Sequence, residues 1–412
     1  MSDQNQRDQN QRDEDQGDEN HRHHVPHHEI HVLDSLAEIA PEDWNRLAGD
    51  QPFLRHAFLH GLELTACVGP GTGWIPRHVA IRANDQWVAA APLYEKHHSF
   101  GEFVFDWAWA RAYQQHGLAY YPKLLCAIPF TPVAGPRLLV ASSQWLPALV
   151  AALQQVQQTL ESSSVHVLFP PEDQRSALAS GGAMLRQGVQ FHWHNAGYAD
   201  FEAFLATLSR DKRKKIRQER RRVSDAGVVM RRICGPDITP EQWQFFSRCY
   251  RTTYRQHGST PYLNAAFFRH LGTHLAEHVL LVIAERNGEP IAAALDLYDR
   301  DHLWGRHWGA IEHVPALHFE ACYYQGLEFC IERGIATFEG GAQGEHKLAR
   351  GFMPVTTWST HQIADPRFAE AIGDFLEREG EGIAHYVNEL EEHAPFRKPA
   401  PERAETDERE NE

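Results

Sequence analysis

Two stretches of sequence, HVAIRANDQWVAAAPLYEK at residues 78–96 and LVIAERNGEPIAAALDLYDR at residues 281–300, share one layout. Each contains an apolar run, a polar turn (ND at 84–85, NG at 287–288) and a second apolar run, VAAAPLY or IAAALDLY. Such turns between apolar runs predict a β-hairpin, because their residues tolerate positive φ. The same hairpin half a chain apart indicates a duplicated fold.

The segments around both hairpins alternate between helical and extended patterns. Around the second hairpin the predicted elements are helices at 240–257 and 263–276, a strand at 303–309, a helix at 319–333 and a strand at 335–339. Around the first they are a helix-like stretch at 53–66, an aromatic strand at 102–110 and a helix at 144–161. This alternation predicts mixed α/β layers.

Length and composition indicate a globular protein of two domains. The chain has 412 residues, of which 42% are hydrophobic and 11% aromatic, enough to exclude wholesale disorder. Its net charge of −15 argues against a general DNA-binding protein. No long uncharged apolar run occurs and the first residues are acidic, so we expect a cytoplasmic protein without a membrane span.

Neither the two ends of the chain nor the cysteines are predicted to form a functional site. Residues 1–28, acidic and His-rich, and residues 397–412 are too polar to repay the entropy of ordering, so both tails are expected to be disordered. The six cysteines form no CxxC pair, which favours buried thiols over disulfides or zinc ligands. No metal site is predicted.

A basic run, DKRKKIRQERRRV at residues 211–223, lies between the two halves. Eight of its residues are Lys or Arg, and Ile216 and Val223 fall on one face, so the run predicts a long surface helix. Two interpretations of this charge are equally good. Either the helix simply presents a solvated face, or it binds an anionic ligand such as a nucleotide diphosphate or an RNA backbone.

Five longer strings resemble a known family. They are GEFVFDWAWARAY (101–113), YYPKLLCAIPFTPVAGPRLL (120–139), SRDKRKKIRQER (209–220), LHFEACYYQGLEFCIERG (317–334) and FEGGAQGEHKLARGFMPV (338–355). They are similar to signature blocks of the bacterial FemAB-like, GNAT-like N-acyltransferases, also described as peptidoglycan biosynthesis or recognition proteins.

The resemblance implies tandem duplicated GNAT-like domains, at 29–208 and 225–396, joined by a basic helix at 209–224. It implies transfer of an acyl or aminoacyl group to an amine, with the acceptor on the N-terminal side and the donor on the C-terminal side. Lys212 and Arg217 resemble the KxRxxIRxA motif that opens a helical element in Fem-type ligases, so they are implied donor contacts. Only a short helix follows, which favours a thioester such as acyl-CoA over aminoacyl-tRNA.

A glycine-rich loop at residues 340–351 is the predicted donor site. Gly341, Gln343 and Gly344 allow main-chain amides to approach a ligand closely, as phosphate-binding loops require. Lys347 and Arg350, three residues apart, share one face of a following helical turn and suit a phosphate or carboxylate. The alternative is a plain turn with exposed charges, since the QxxGxG/A acetyl-CoA signature is missing.

Three side chains are candidates for removing the proton of an acceptor amine. Glu345 and His346 lie beside the glycine-rich loop, and histidine titrates near neutral pH. Glu320 is the rival, although a glutamate in the first turn of a helix is equally explained by the helix dipole. Direct attack with proton removal by water is a further alternative.

An aromatic region of the first half is the predicted acceptor site. Its members place polar tips among large rings: Asp106, Trp107, Tyr120, Tyr121 and Lys123. Packing of core aromatics explains the same pattern. Asp106 is the leading candidate, because a carboxylate among rings needs a partner when it is buried.

Other enzyme classes lose support because GxSxG, HExxH, Walker and dinucleotide-binding motifs do not occur. The prediction is therefore an N-acyltransferase that binds no cofactor tightly and uses acyl-CoA as a co-substrate. Two alternatives remain, a non-catalytic ligand-binding protein of the same fold and an aminoacyl-tRNA-dependent ligase.

Overall fold

The computed structural model describes residues 27–341 and 344–397. The two predicted tails lie almost entirely outside these residues, and so does Gln343. Within the described ranges no helix combines the length and the apolar character needed to cross a membrane. The six cysteines are all unpaired.

Both halves of the chain contain helices that accompany the sheets. They are α1 (Pro41–Ala48), α2 (His56–Leu64), α3 (Trp107–Gln115), α4 (Leu146–Thr159), α5 (Glu172–Ser180), α6 (Phe201–Thr207), α7 (Arg210–Asp225), α8 (Pro240–Gln256), α9 (Ala265–His274), α10 (Gln325–Arg333) and α11 (Pro366–Glu392). A helical turn (Leu317–Phe319) and a π-helical turn (Glu320–Tyr324) lead directly into α10, and a 3₁₀ helix covers Glu345–Arg350.

The strands form two sheets. They are β1 (Glu29–Leu33), β2 (Trp74–Pro76), β3 (His78–Ala83), β4 (Gln86–Ala91), β5 (Leu93–Lys96), β6 (Lys123–Cys126), β7 (Leu139–Val140), β8 (Ser164–Leu168), β9 (Met184–His194), β10 (Val228–Cys234), β11 (Val279–Arg286), β12 (Glu289–Tyr298), β13 (His302–Ala310), β14 (Thr337–Glu339) and β15 (Met353–Ile363).

One large sheet joins the two halves of the chain. Its order is β10-β11-β12-β13-β14-β9-β15-β8-β6-β5-β2, while the smaller sheet runs β1-β3-β4-β7. Strands β9 and β15 form the centre of the large sheet and pair antiparallel from Met353 opposite His192 to His361 opposite Met184. The predicted α/β fold is confirmed, and the halves share a continuous sheet.

Both predicted hairpins are confirmed. Strands β3 and β4 turn at Asn84 and Asp85, whose φ angles are +48° and +62°. Strands β11 and β12 turn at Asn287 and Gly288, whose φ angles are +54° and +80°. Positive φ at both central residues is the geometry that matches the twist of adjacent strands.

The predicted aromatic strand at 102–110 is wrong, because this segment is a loop followed by α3. Trp109 and Tyr113, four residues apart, are both buried, whereas Trp107 is exposed. Large rings favour strands by propensity, but burial here follows the period of a helix. The other predicted elements of the second half match α8, α9, β13, α10 and β14 with shifted ends.

The basic run forms α7, as predicted. Its buried face carries Ile216 and Val223, which are 1% and 2% exposed, and packs into the apolar cores of the second half. The opposite face is exposed and cationic. Helix α7 therefore lies on the second half through a narrow apolar stripe.

Candidate functional site

Two parallel strands in the second half separate and open a cleft. Strands β13 and β14 pair only from His302 to Trp304 on one side and from Thr337 to Glu339 on the other. Beyond this point β14 ends, while β13 continues to Ala310. In the part of the chain that the structure describes, the edge of β13 that faced β14 has no further strand partner. The carbonyl oxygen of Trp308 accepts from Thr253 Oγ1 at 2.8 Å, whereas the backbone N–H groups of this edge are left without a strand partner.

A β-bulge sits at the point of separation. The register between β12 and β13 shifts so that Arg306 is an extra residue between Gly305 and His307. A bulge redirects the side chain it inserts. Arg306 reaches the first half, where its Nη2 donates to the carbonyl oxygen of Phe130 at 2.7 Å. Burial lowers the pKa of Arg306 to about 10, so the side chain is still charged at neutral pH.

The central cleft is a cavity of about 650 Å³ between the two halves. The first half contributes Phe103, Phe130 and Pro132; the second contributes Tyr250, Thr253, Tyr254, His257, Ser259, Tyr262, Gly305, Arg306, His307, Trp308 and Gly341. Its wall on one side is α8, which packs so closely on β13 that a Cβ at Gly309 would lie 2.2 Å from the carbonyl oxygen of Cys249.

A second cavity of about 580 Å³, here called the outer cavity, continues from the central cleft. The two cavities share Thr253, His257 and Trp308. The outer cavity ends at the loop after β13 and at the start of the helical run that begins at Leu317. The amides of Leu317 and Phe319 are bonded to the carbonyl oxygens of Val314 and Ala316, so the partial positive charge of the helix start, rather than a set of free N–H groups, is what favours an anion here.

Gly341, which follows β14 in the glycine turn, lines the central cleft. Gly341 and Gly344 have φ angles of +88° and +116°, which L side chains rarely adopt. Lys347 lies beneath this turn, 2% exposed, and its Nζ donates to the carbonyl oxygen of Gly341 at 2.6 Å. Burial lowers the pKa of Lys347 to about 8. The structure thus places Lys347 at the predicted loop, holding its backbone.

Arg350, predicted to bind a phosphate or carboxylate of the donor, is instead paired with a carboxylate of the protein itself. Its Nη2 donates to both carboxylate oxygens of Glu219 on α7, at 2.9 and 2.8 Å, and its Nε donates to the Tyr324 hydroxyl at 3.1 Å. The guanidinium also stacks 3.5 Å from the centre of the Phe319 ring. Arg350 joins α7 to the turn and is 2% exposed.

The three proton-acceptor candidates lie in separate places. His346 Nε2 is 3.0 Å from the Tyr323 hydroxyl, and its ring lies 5.7 Å from that of Phe319, which lines the outer cavity. Burial, with the nearby cations, lowers the pKa of His346, so the imidazole is neutral at pH 7. Glu345 accepts from the Tyr386 hydroxyl at 2.7 Å on the surface.

Glu320 is enclosed by an ion pair. It is 3% exposed and accepts two hydrogen bonds of 3.1 Å from Arg220 and one of 2.8 Å from Gln325. These contacts connect α7 to the π-helical turn. The side chain has a structural partner and does not line either cavity.

A carboxyl group that sequence reasoning missed ends β14. Glu339 is 7% exposed and immediately precedes the glycine turn. Burial raises its pKa to about 7, although His302 and Arg306 oppose the shift. An acidic residue between an apolar strand and a glycine pair is the sequence signal that could have identified it.

The predicted acceptor residues of the first half form a buried ionic cluster. Lys123 is fully buried and donates to Asp106 and, at 2.8 Å, to Glu102. Burial alone would raise the pKa of Asp106, but the Lys123 charge lowers it to about 2. Tyr120 donates its hydroxyl proton to Asp106 at 2.7 Å. Lys123 is the partner that Asp106 was expected to need.

The remaining predicted residues lie nearer the surface. Trp107 is 36% exposed and lines a further cavity of about 350 Å³, while the Tyr121 hydroxyl is 2.8 Å from Ser99 Oγ. On α7, Lys212 is half-buried and the exposed Arg217 forms an ion pair with Glu202. The structure does not bring these α7 residues to the central cleft.

Comparison with known proteins identifies the family. The FemAB-like family, described by its role in peptidoglycan biosynthesis or recognition, matches residues 35–398. The chain belongs to the FemAB-like family. No protein with a curated description matches it.

Solved structures agree with this fold. The crystal structure of FemX aligns with a TM-score of 0.50 at 12% identity and covers 84% of this FemAB-like chain and 100% of FemX. The C-terminal domain of a putative lysylphosphatidylglycerol synthetase from Agrobacterium fabrum aligns with a TM-score of 0.51 at 11% identity, covering 82% and 96% of the two chains. At these identities the likeness concerns the fold alone.

Sequence reasoning missed most of the central cleft of this FemAB-like protein. Tyr250, Tyr254 and Arg306 come from α8 and a strand, and they meet Phe103 of the first half only after folding. The tripeptide at 306–308 was a usable signal, because Arg, His and Trp follow one another in a strand whose other residues, apart from His302 at its start, are apolar. The family and the fold support a transferase.

Proposed function

We propose that this FemAB-like protein is an N-acyltransferase. It transfers an acyl or aminoacyl group from a thioester donor, such as acyl-CoA, to an amine on a cell-wall-precursor-like acceptor. The observation that carries the proposal is the separation of β13 from β14 at Gly305, which opens a cleft between the halves; along one wall, backbone N–H groups of β13 have no strand partner among the described residues.

The reaction needs three functions from the site. The acceptor nitrogen attacks the thioester carbonyl carbon, the carbonyl oxygen becomes an oxyanion, and the carbon–sulfur bond then breaks to release a thiolate. Backbone N–H groups of the open edge of β13 suit the oxyanion, because donors fixed before the reaction stabilise developing charge without reorganising. The amine proton is transferred to a base and finally to the leaving sulfur.

We assign the base to His346, an exposed side chain that lies beside the outer cavity without lining it. Its lowered pKa leaves it unprotonated at neutral pH, and its ring packs against Phe319 on the wall of the outer cavity. The Tyr323 hydroxyl, 3.0 Å from Nε2, offers a path for the proton. The anionic part of the donor then lies in the outer cavity at the amino-terminal end of the helical run from Leu317.

A donor panel tests the proposal. Purified protein is incubated with acyl-CoAs of different acyl groups and a mixture of amine acceptors, and released thiol and bound donor are measured. In Lys347→Ala the glycine turn loses its 2.6 Å contact, so the donor dissociation constant should rise at least tenfold. The matched control is Lys215→Ala on the exposed face of α7, which should leave binding within twofold. Absence of saturable binding by every thioester contradicts the proposal.

A second candidate is an aminoacyl-tRNA-dependent ligase, which the exposed face of α7 favours. Lys214, Lys215, Arg221 and Arg222 are exposed and form no ion pair among the described residues. Binding of a polyanion there should weaken steeply as salt rises, because bound cations release counterions from the nucleic acid. Charge reversal of these four residues that leaves aminoacyl transfer from tRNA unchanged would rule this candidate out.

A further inference from the structure

Residues 99–107 of the first half have an inverted polarity, with polar side chains inside and aromatic side chains outside. The buried polar residues, each at most 4% exposed, are Ser99, Glu102 and Asp106. The exposed rings are Phe100 at 54%, Phe103 at 38%, Phe105 at 54% and Trp107 at 36%. Burying charge while leaving rings in water opposes both the hydrophobic effect and charge solvation, so folding stability alone does not explain this arrangement.

Buried charges hold the segment in place from inside. Lys123 Nζ donates to Ser99 Oγ at 3.0 Å and to Glu102 at 2.8 Å, and it also contacts Asp106. Lys96, fully buried, lies 3.7 Å from the second oxygen of Glu102. The ionic cluster thus fixes three points along the segment that carries the rings.

The backbone is held as firmly as the side chains. The Trp74 indole donates to the carbonyl oxygen of Phe100 at 3.1 Å, and Arg186 donates to that of Phe105 at 2.8 Å. Phe103 adopts a φ of +62°, in the left-handed region that a bulky residue rarely occupies. Strain of this kind persists where surrounding contacts impose it, and it is common at ligand-binding sites.

The exposed rings enclose a cavity of about 350 Å³, here called the aromatic pocket. Phe100, Phe103, Phe105, Trp107 and Tyr262 line it. Phe103 and Tyr262 also line the central cleft, so the two spaces adjoin at these rings. A molecule in the cleft can therefore extend into the aromatic pocket.

We propose that the aromatic pocket binds a hydrocarbon chain that belongs to a substrate held in the central cleft. This proposal rests on the function proposed above and assigns the substrate an apolar tail. The Ser99 hydroxyl is already bonded to Lys123 and Tyr121, which leaves the Trp107 indole N–H and the Tyr262 phenol as the polar side-chain groups among the rings. Two such groups cannot replace the water hydrogen bonds of the several hydroxyls of a sugar, whereas methylene groups gain from leaving water.

The chain can belong to the donor acyl group or to the acceptor amine, and two ligand series distinguish these sources. Binding is measured for linear acyl-CoAs from two to twelve carbons and for n-alkylamines of the same lengths. In the correct series, affinity should rise about three- to fourfold for each methylene that enters the pocket. Trp107→Ala and Phe105→Ala should flatten that rise, and they should fold normally because both rings are exposed.

Leu64→Ala is the matched control, because Leu64 is 64% exposed and lines neither space. Affinities that do not depend on chain length in either series overturn the proposal, and so does an equal slope in the ring variants and in Leu64→Ala. If acetyl-CoA is turned over but neither series shows a chain-length effect, the proposed hydrocarbon-binding pocket is wrong and the N-acyltransferase function stands. If only the alkylamines show a chain-length effect and no acyl-CoA binds, the pocket proposal stands and the thioester donor of the proposed function is wrong.

Discussion

Arg350 and Glu219 lie 131 positions apart in the sequence and are joined by two hydrogen bonds of 2.9 and 2.8 Å. Both side chains are buried, and the Tyr324 hydroxyl also contacts Glu219. The pair connects α7, between the two halves, to the 3₁₀ helix that follows the glycine turn. This 3₁₀ helix also carries Lys347, which holds the cleft-lining Gly341, so the pair joins a wall of the cleft to a distant helix.

Arg350→Met should destabilise the protein by about 3–5 kcal/mol, because it leaves the Glu219 carboxylate buried without a cation. Urea unfolding measures the change. The double variant Arg350→Met/Glu219→Gln should lose less than the sum of the single variants, because no uncompensated charge is left. Arg222→Ala, on the exposed face of α7, is the control and should stay within about 0.5 kcal/mol of the parent. Additive losses in the double variant would show that the pair is not coupled.

Glu339 should make the protein less stable as pH rises from 4.5 to about 7. Its folded pKa is raised from 4.5 to about 7 by burial, so the folded state keeps a proton that the unfolded state releases in this range. Its stabilising contribution is complete below pH 4.5 and is lost as pH rises through 7. Relative to Glu339→Gln, the loss should be on the order of 3 kcal/mol.

The measurement for Glu339 is urea unfolding of both proteins at pH 4.5, 5.5, 6.5 and 7.5. The difference between them isolates this carboxyl from Glu102, whose pKa burial also raises to about 7. A difference that does not change with pH would contradict the assignment of a raised pKa to Glu339.

Gly309→Ala should disturb the wall of the central cleft. The added Cβ would lie 2.2 Å from the carbonyl oxygen of Cys249, and a backbone atom cannot rotate away, so α8 must move. We expect a loss of about 1–3 kcal/mol and weaker donor binding. Gly382→Ala in α11 is the matched control, because no atom lies within 4 Å of its Cβ. It should raise stability by up to about 1 kcal/mol through helix propensity. Equal stability of the two variants, measured by thermal unfolding, would disprove the close contact.

Lys123→Met should destabilise the first half more at pH 8 than at pH 5. Removing the cation leaves Asp106 and Glu102 buried, and their pKa values then rise above those of the unfolded chain. Stability must consequently fall as pH increases. The loss at pH 8 should reach about 3–5 kcal/mol, measured by urea unfolding at both pH values. The exposed Lys215→Met is the control, and a loss independent of pH would argue against an ionic cluster.

Local signals in the sequence were sufficient for most of the secondary structure. The turns at Asn84 and Asn287 place their hairpins because positive φ is a property of the turn residues themselves. Helix α7 followed from the spacing of Ile216 and Val223, which identifies the buried stripe without knowledge of its partner. The predicted strand at 102–110 was wrong because aromatic content favours a strand by propensity. Which of these rings are buried depends on the elements that pack against them, and that is not visible in the local sequence.

The candidate site depended on the tertiary structure. The sequence indicated the glycine turn, Lys347 and His346, which are neighbours along the chain. It did not show that Arg350 binds Glu219 or that Arg306 reaches Phe130, because such pairs are chosen by the packing of distant elements. Periodicity and turn chemistry are local, so the residues alone determine them. A cleft exists only where two strands separate between two halves, and that requires the whole chain to fold.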